Sequence, residues 1–345
     1  MRSRHFIQVD QTLPFLERVQ ALDAPLGNWL DRVGLSECMF VQPDSILPTD
    51  RFVRLLELAA AEIGPELGVE IAHQSGVEQL GKFGRAIVYA GTLGHAMATA
   101  SRYSRLVNSA ESITLMPSPD GIRWRLSFDV DLGEGLRQIE AFAVVATIRM
   151  IRRVVGSEWD PVKIRVHPKV AEVMKRYDDL ARCHIEEAPG LTEITIQRYV
   201  MGRPQGVVGD AHYRQQDLRD LEDLALPTRL EPLLRRLIGG LLPDGTPSLK
   251  MLADLVGIRP RTLQRRLSER ETSLTALIDE VRCGRALGQI GENGTSVDQM
   301  ARNCGYTDPT NFTRAFRRWT GCSPREYRRL QVLTTSSLRP PRAVE

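Results

Sequence analysis

Between Ser248 and Leu267 the apolar positions fall in a helical stripe. Leu249, Leu252, Ala253 and Val256 stand at i, i+3, i+4 and i+7, one face of a helix. Gly257 follows, a residue that tolerates the left-handed backbone at which helices commonly end. A second short helix is predicted next, with Leu263 and Leu267 turned inward and Arg261, Thr262, Gln264, Arg265 and Ser268 turned outward. The same grammar returns 49 positions later, counted from Leu263 to Phe312. Val297, Met300, Ala301 and Cys304 repeat the stripe, and Gly305 repeats the turn. Thr307 is expected to cap the next helix, with Pro309 in its first turn. Phe312 and Phe316 face inward there. Thr310, Asn311, Thr313 and Arg314 face outward, and Arg317 and Arg318 are available for phosphates. The apolar spacing from Leu274 to Ile290 predicts one continuous helix joining the two units.

The front of the chain mixes periods. Helices are predicted over Arg51–Ile63, over Thr92–Leu106 with Thr92 as cap, and over the long apolar stretch Leu136–Val155. Ser112–Met116 and Ile122–Val130 flank a Pro-Ser-Pro-Asp-Gly turn and read as a hairpin. Lys163–Val166 and Glu193–Ile196 read as strands. The fold class expected is therefore an α+β N-terminal domain followed by an all-α domain with two helix-turn-helix units joined by a helix. The expected boundaries are a first domain over 1–202, a linker over 203–230, a helical domain over 231–333 and a disordered tail over 334–345.

Charge sharpens this division. Residues 231–345 hold 19 Lys and Arg against 12 Asp and Glu, whereas residues 1–230 hold 27 against 31. A basic block beside an acidic remainder suits a polyanion-binding module joined to something else. The outward side chains fit that polyanion being DNA. Arg pairs with the acceptor edge of guanine, and Gln or Asn with the donor–acceptor edge of adenine, in the major groove. Two reading helices on one chain suit successive major-groove turns, about 34 Å apart. A plain helical hairpin explains one such unit. It explains two, with donor-rich outer faces both times, far less well.

Other classes find little support. The longest apolar run, Ala141 to Ile151, already contains Arg149, so no membrane span is predicted. The basic start lacks the apolar core of a signal peptide, and the expected location is cytoplasmic. Cys38, Cys183, Cys283, Cys304 and Cys322 are odd in number and widely spaced, which disfavours a disulfide framework or a structural zinc site. No P-loop or Gly-x-Ser-x-Gly motif occurs, and no enzyme activity, cofactor or metal is expected.

The stretch from Met300 to Arg328 resembles the signature of the AraC-type (arabinose-regulator-like) transcription factors. Gly305, Phe312, Phe316, Trp319, Gly321, Ser323, Pro324 and Tyr327 stand at its typical positions. The resemblance covers 248–329 and implies base-reading roles for Arg261, Gln264 and Arg265 in the first unit. In the second unit it implies such roles for Thr310, Asn311, Thr313 and Arg314. Residues from about 12 to 205 are similar to the sensor domain of the ornithine-utilisation-regulator-like branch, through the segments at Gly81–Arg85, Thr92–Ala96, Arg102–Tyr103, Arg137–Glu140 and Val166–Pro168. Departures are Arg259, where a Ser cap is common, Glu271 in place of a common Gly, and Gly284 and Gly288 inside the joining helix.

The function expected is a sequence-specific DNA-binding transcriptional regulator under small-molecule control. Arg137 and Glu140 are candidates to hold the charged ends of an amino-acid-like effector, with His95 as a further contact. The partners implied are promoter or operator DNA, the effector, RNA polymerase and a second copy of the chain, and not a membrane. Two alternatives stand beside this: a DNA-repair methyl-acceptor enzyme fused to the same DNA-binding domain, and a non-specific architectural DNA binder.

Overall fold

A computed structural model describes residues 4–42, 45–129, 133–206, 211–223, 225–291 and 295–337. The chain divides into two compact units, Met1–Leu226 and Pro227–Glu345.

The first unit is α+β. Strands β1 (Phe6–Gln8) and β2 (Ile46–Pro48) form an antiparallel pair. Strands β3 (Glu111–Ser118), β4 (Gly121–Phe128), β5 (Lys163–Val166), β6 (Ile185–Glu187) and β7 (Thr192–Ile196) form a sheet of order β3-β4-β7-β5-β6. Only β5 and β6 run parallel. The hairpin β3-β4 is the predicted one, turning at Pro119-Asp120. The long helix Gly135–Val155 is buried over most of its surface, as its nearly unbroken apolar sequence requires. It packs on Thr49–Ile63 and Leu67–Gln74. Gly68 permits that approach, because a Cβ there would collide with the backbone of Gln138, and its N–H instead donates to Gln138 Oε1 at 2.8 Å. Phe15 meets Phe52 edge-on at 5.8 Å and Phe142 at 5.2 Å. Burial of each such ring contributes about 1.5–3 kcal/mol.

The segment expected as a linker, 203–230, differs from that expectation. Its helix Ala211–Asp223 packs on the helices Gly81–Val88 and Leu93–Val107. Leu221 is buried, the Tyr103 hydroxyl donates to Glu222 at 2.9 Å, and Lys82 pairs with Asp220 at 3.3 Å. The backbone N–H of Leu226 donates to the Leu106 carbonyl at 3.1 Å, so the first unit extends to Leu226. Asp220 and Glu222 hold it through polar partners far away in the sequence, which local periodicity does not mark.

The second unit is all helical: Leu230–Leu241, Leu249–Val256, Pro260–Ser268, Leu274–Ile290, Val297–Asn303, Pro309–Thr320 and Pro324–Ser337. The last helix takes in residues 334–337 of the expected tail, whose remainder lies outside the described residues. Among the described residues no helix is long and apolar enough to cross a membrane.

Candidate nucleic-acid interface

Each helix-turn-helix is built as its sequence requires. Ser248 accepts from the N–H of Met251, and Gly257 closes that helix at φ 74°. Leu252, Ala253, Leu263 and Leu267 are buried between the two helices. Ser296 caps the corresponding helix of the second unit, and Gly305 takes φ 74°. Ala286, Ile290, Met300, Ala301, Phe312 and Phe316 close its core, with the Phe312 and Phe316 rings 5.9 Å apart.

The second recognition helix, Pro309–Thr320, is capped by Asp308, not by Thr307. The Asp308 carboxylate accepts from the N–H of Thr310 at 2.8 Å. Pro309 at the first helical position fixes the cap at the residue before it. The first recognition helix, Pro260–Ser268, has Arg259 at its cap position and no side-chain cap bond. Glu271, just beyond that helix, sits at φ 54°, the left-handed region that glycine tolerates better.

Most of the expected outward positions are exposed. Arg261, Gln264 and Arg265 are exposed and Thr262 is half-buried, while Thr310, Asn311 and Arg314 are exposed and Thr313 is half-buried. Their states differ. Arg261 and Arg314 make no hydrogen bond or ion pair among the described residues. Arg265 lies 3.7 Å from Glu269, and the Thr313 hydroxyl donates to the Pro309 carbonyl at 2.9 Å. Of the two arginines expected at phosphates, both are exposed, but Arg318 is paired with Asp279 on the connecting helix at 2.7 Å.

Sequence reading missed the arginines that hold the unit together. Arg282, buried on the connecting helix, donates to the carbonyls of Cys304 at 2.9 Å and Gly305 at 3.2 Å, and to the Thr246 hydroxyl at 2.6 Å. Its guanidinium lies 4.4 Å from the centre of the Tyr306 ring. Arg285 donates to the carbonyls of Asn303 at 2.8 Å and Gly239 at 2.6 Å. These cations satisfy carbonyls at a helix C-terminus, where positive charge is also favoured by the helix dipole. They tie the turn at 303–305 to the segment 239–246 that precedes the first helix-turn-helix. Gly305 belongs to the same joint, since a Cβ there would lie 2.6 Å from the Leu242 carbonyl oxygen. Arg328 adds a third clamp, donating to the Ile290 and Thr295 carbonyls at 3.1 and 2.7 Å.

In the first unit the effector candidates do not converge. Arg137 and Glu140 pair with each other at 2.6 Å, and the second Glu140 oxygen accepts from the Thr192 hydroxyl at 3.0 Å. His95 is exposed and its N–H donates to the Thr92 cap. A cavity of about 90 Å³ lies elsewhere, walled by Phe15, Phe83, Met97, Trp124, Phe142 and Met150, with Gln11, Asn108 and Glu111 also at its surface. Burial pushes the Glu111 carboxyl up to about 7, against the opposing hydrogen bond from Asn108. Two of the buried thiols are held in the protonated form. Burial, and then Asp160, pushes Cys183 up to about 11, and burial does the same for Cys304. Among the described residues no group of three or more His, Cys, Asp or Glu is placed to hold a metal.

Comparison with known proteins follows this division. Residues 24–205 match the family described as the arabinose-binding domain of the AraC transcription regulator, N-terminal, and residues 252–330 match a helix-turn-helix domain. The HTH-type transcriptional regulator VirS of Mycobacterium tuberculosis is 28% identical over 324 residues, covering 92% of this chain and 90% of that one. The ornithine utilization regulator of Pseudomonas aeruginosa is 26% identical over 318 residues, covering 89% and 93%. Among solved structures, the transcriptional regulator CdpR of Pseudomonas aeruginosa aligns with a TM-score of 0.40 at 22% identity, over 88% of this chain and 96% of that one.

Proposed function

The chain belongs to the AraC-type family of transcription regulators, and from that premise we propose that its two recognition helices read two successive major-groove segments of an operator. In this reading Arg261, Thr262, Gln264 and Arg265 face one block of bases. Thr310, Asn311, Thr313 and Arg314 face the other, and Arg317 and Arg318 meet the phosphates. The observation that carries it is the repetition of one construction. In both units inward Leu or Phe side chains are buried under a helix whose exposed face holds Arg beside Gln or Asn. A non-specific binder needs only the positive charge. The pairing of guanine- and adenine-matching side chains favours base readout.

The first unit is proposed to bind a small-molecule effector, and binding acts on transcription if the effector favours one arrangement of the chain over another. RNA polymerase and a second copy of the chain are further partners of this proposal, and with chromosomal DNA as target the place of action is the cytoplasm.

The test is selection of fragmented genomic DNA on the purified full chain at near-physiological salt. The expected result is a motif of two blocks about one helical turn apart. Arg261→Ala is expected to relax one position in one block, and Arg314→Ala one position in the other, each at a cost of about 1–3 kcal/mol. Equal loss on every sequence would overturn base readout.

A further inference from the structure

The cavity of the first unit carries an electrostatic imbalance. Its walls come from several elements: Phe15, Phe83 on Gly81–Val88, Met97 on Leu93–Val107, Trp124 on β4, and Phe142 and Met150 on the helix Gly135–Val155. Among the described residues no Lys, Arg or His lines it. Yet Glu111, at the start of β3, is one of its lining residues. Its side chain accepts from the Asn108 side-chain amide at 3.3 Å, and the Asn108 side-chain oxygen Oδ1 is itself engaged by the N–H of Ala110 and the hydroxyl of Thr49. A carboxylate facing an apolar cavity without a cation is costly to keep ionised. Elsewhere in the same unit a buried carboxylate is matched by cations: Glu193 meets both Arg125 at 2.9 Å and Arg165 at 3.5 Å.

We propose that this cavity is the effector site and that it takes a small organic cation, a primary ammonium on a short apolar body, with the ammonium on Glu111 and the body against Trp124 and Phe142. The inference rests on the reading of the first unit as a sensor and adds the place and chemistry of the ligand. Three features of the site select for that class. The carboxylate complements positive charge and repels an anionic ligand. The aromatic walls accept both an alkyl chain and the edge of an ammonium. The volume is the third filter. A cavity of about 150 Å³ suffices for benzene, so one of about 90 Å³ holds an apolar body of about four heavy atoms. Asn108 holds the carboxylate in place and is a positioning residue.

The experiment is calorimetric titration of the full chain at pH 8 with butylammonium chloride, set against butan-1-ol and sodium butyrate as neutral and anionic probes of similar size. The expected order is butylammonium well ahead of butanol, with butyrate unbound. Glu111→Gln is expected to lower butylammonium affinity by about tenfold or more and to leave butanol unchanged. Ala100, on the helix Leu93–Val107, also lines the cavity; Ala100→Val narrows it and keeps the carboxylate, and it is expected to weaken both ligands. Butanol binding as tightly as butylammonium, an unchanged amine affinity in Glu111→Gln, or an unchanged affinity in Ala100→Val would each overturn the proposal. So would the absence of binding by any probe. Retention of operator DNA, measured on the same preparations, keeps this outcome separate from the DNA-binding reading: Glu111→Gln is expected to select the same motif as the parent chain.

Discussion

Glu111→Gln also has a consequence for stability that can be worked through from the folded state. The substitution keeps shape and the hydrogen bond from Asn108, because the amide oxygen accepts as the carboxylate did, and it removes the charge. Burial raises the Glu111 carboxyl from 4.5 to about 7. Each unit of such a shift corresponds to about 1.4 kcal/mol, and Glu111 keeps part of its surface in solvent, so the ionised carboxylate costs the fold up to about 3 kcal/mol. The sign follows from proton counts. Below pH 4.5 the group is protonated in both folded and unfolded chains and the cost is absent. Between 4.5 and 7 the unfolded chain has lost its proton and the folded chain retains it, so stability falls as pH rises. Above 7 the cost is complete and constant. Glutamine does not titrate, and the other carboxylates are common to both proteins. The stability of Glu111→Gln relative to the parent chain is therefore expected to climb from near zero at pH 4.5 to a plateau of up to about 3 kcal/mol at pH 8. Urea unfolding followed by tryptophan fluorescence reads this, since three of the four tryptophans, Trp29, Trp124 and Trp159, lie in the first unit, and Trp319→Phe removes the signal of the second. A difference that stays flat across this range, or that favours the parent chain at pH 8, would refute the desolvation account.

Four further outcomes are expected in the second unit. Arg282→Met leaves the carbonyls of Cys304 and Gly305 without their charged donor and is expected to destabilise the unit by about 2–4 kcal/mol in urea unfolding, with loss of affinity for both operator blocks together. Glu271→Gly relieves a left-handed backbone and is expected to raise stability by about 1 kcal/mol, read as a higher melting temperature. Gly284→Ala and Gly288→Ala place a methyl where nothing lies within 4 Å on an exposed helix face, and each is expected to add up to about 1 kcal/mol by the same measure. Arg317→Ala is expected to lower the slope of log affinity against log salt by about 1, and Arg318→Ala by less, because Asp279 already balances that charge.

What could be read in the chain before folding was what local periodicity and capping encode. The stripe Leu249–Val256, its repeat at Val297–Cys304, the outward faces of both recognition helices and the hairpin around Pro119-Asp120 all depend on spacing within a few residues. Thr307 reads as a cap because Thr is a good one, but Asp308 is a good one too, and the placement of Pro309 at the first helical position decides for Asp308. The rest depends on partners distant in sequence. Arg282 reads as one more cation on an amphipathic helix, and its acceptors lie 22, 23 and 36 residues away. Glu111 sits between Ala110 and Ser112 with nothing local to mark it. Its meaning comes from Trp124, Phe142 and Phe15, which the tertiary fold brings to one cavity. Arg137 and Glu140 looked like ligand groups because they open an apolar helix, but they are i,i+3 neighbours and neutralise each other.

The joint made by Arg282, Arg285 and Gly305 bears on how binding sites for this protein can drift over time. On the proposed two-block reading, recognition helices clamped through one connecting helix act as a caliper of fixed opening. A base substitution in an operator removes one contact and leaves the other block engaged. Insertion of a single base pair between the blocks turns one of them by about 35° around the duplex, and a fixed caliper cannot follow. Operators across a genome are then expected to differ by substitutions within the two blocks and hardly at all in the number of base pairs between them, so that spacing, more than consensus, marks a true site.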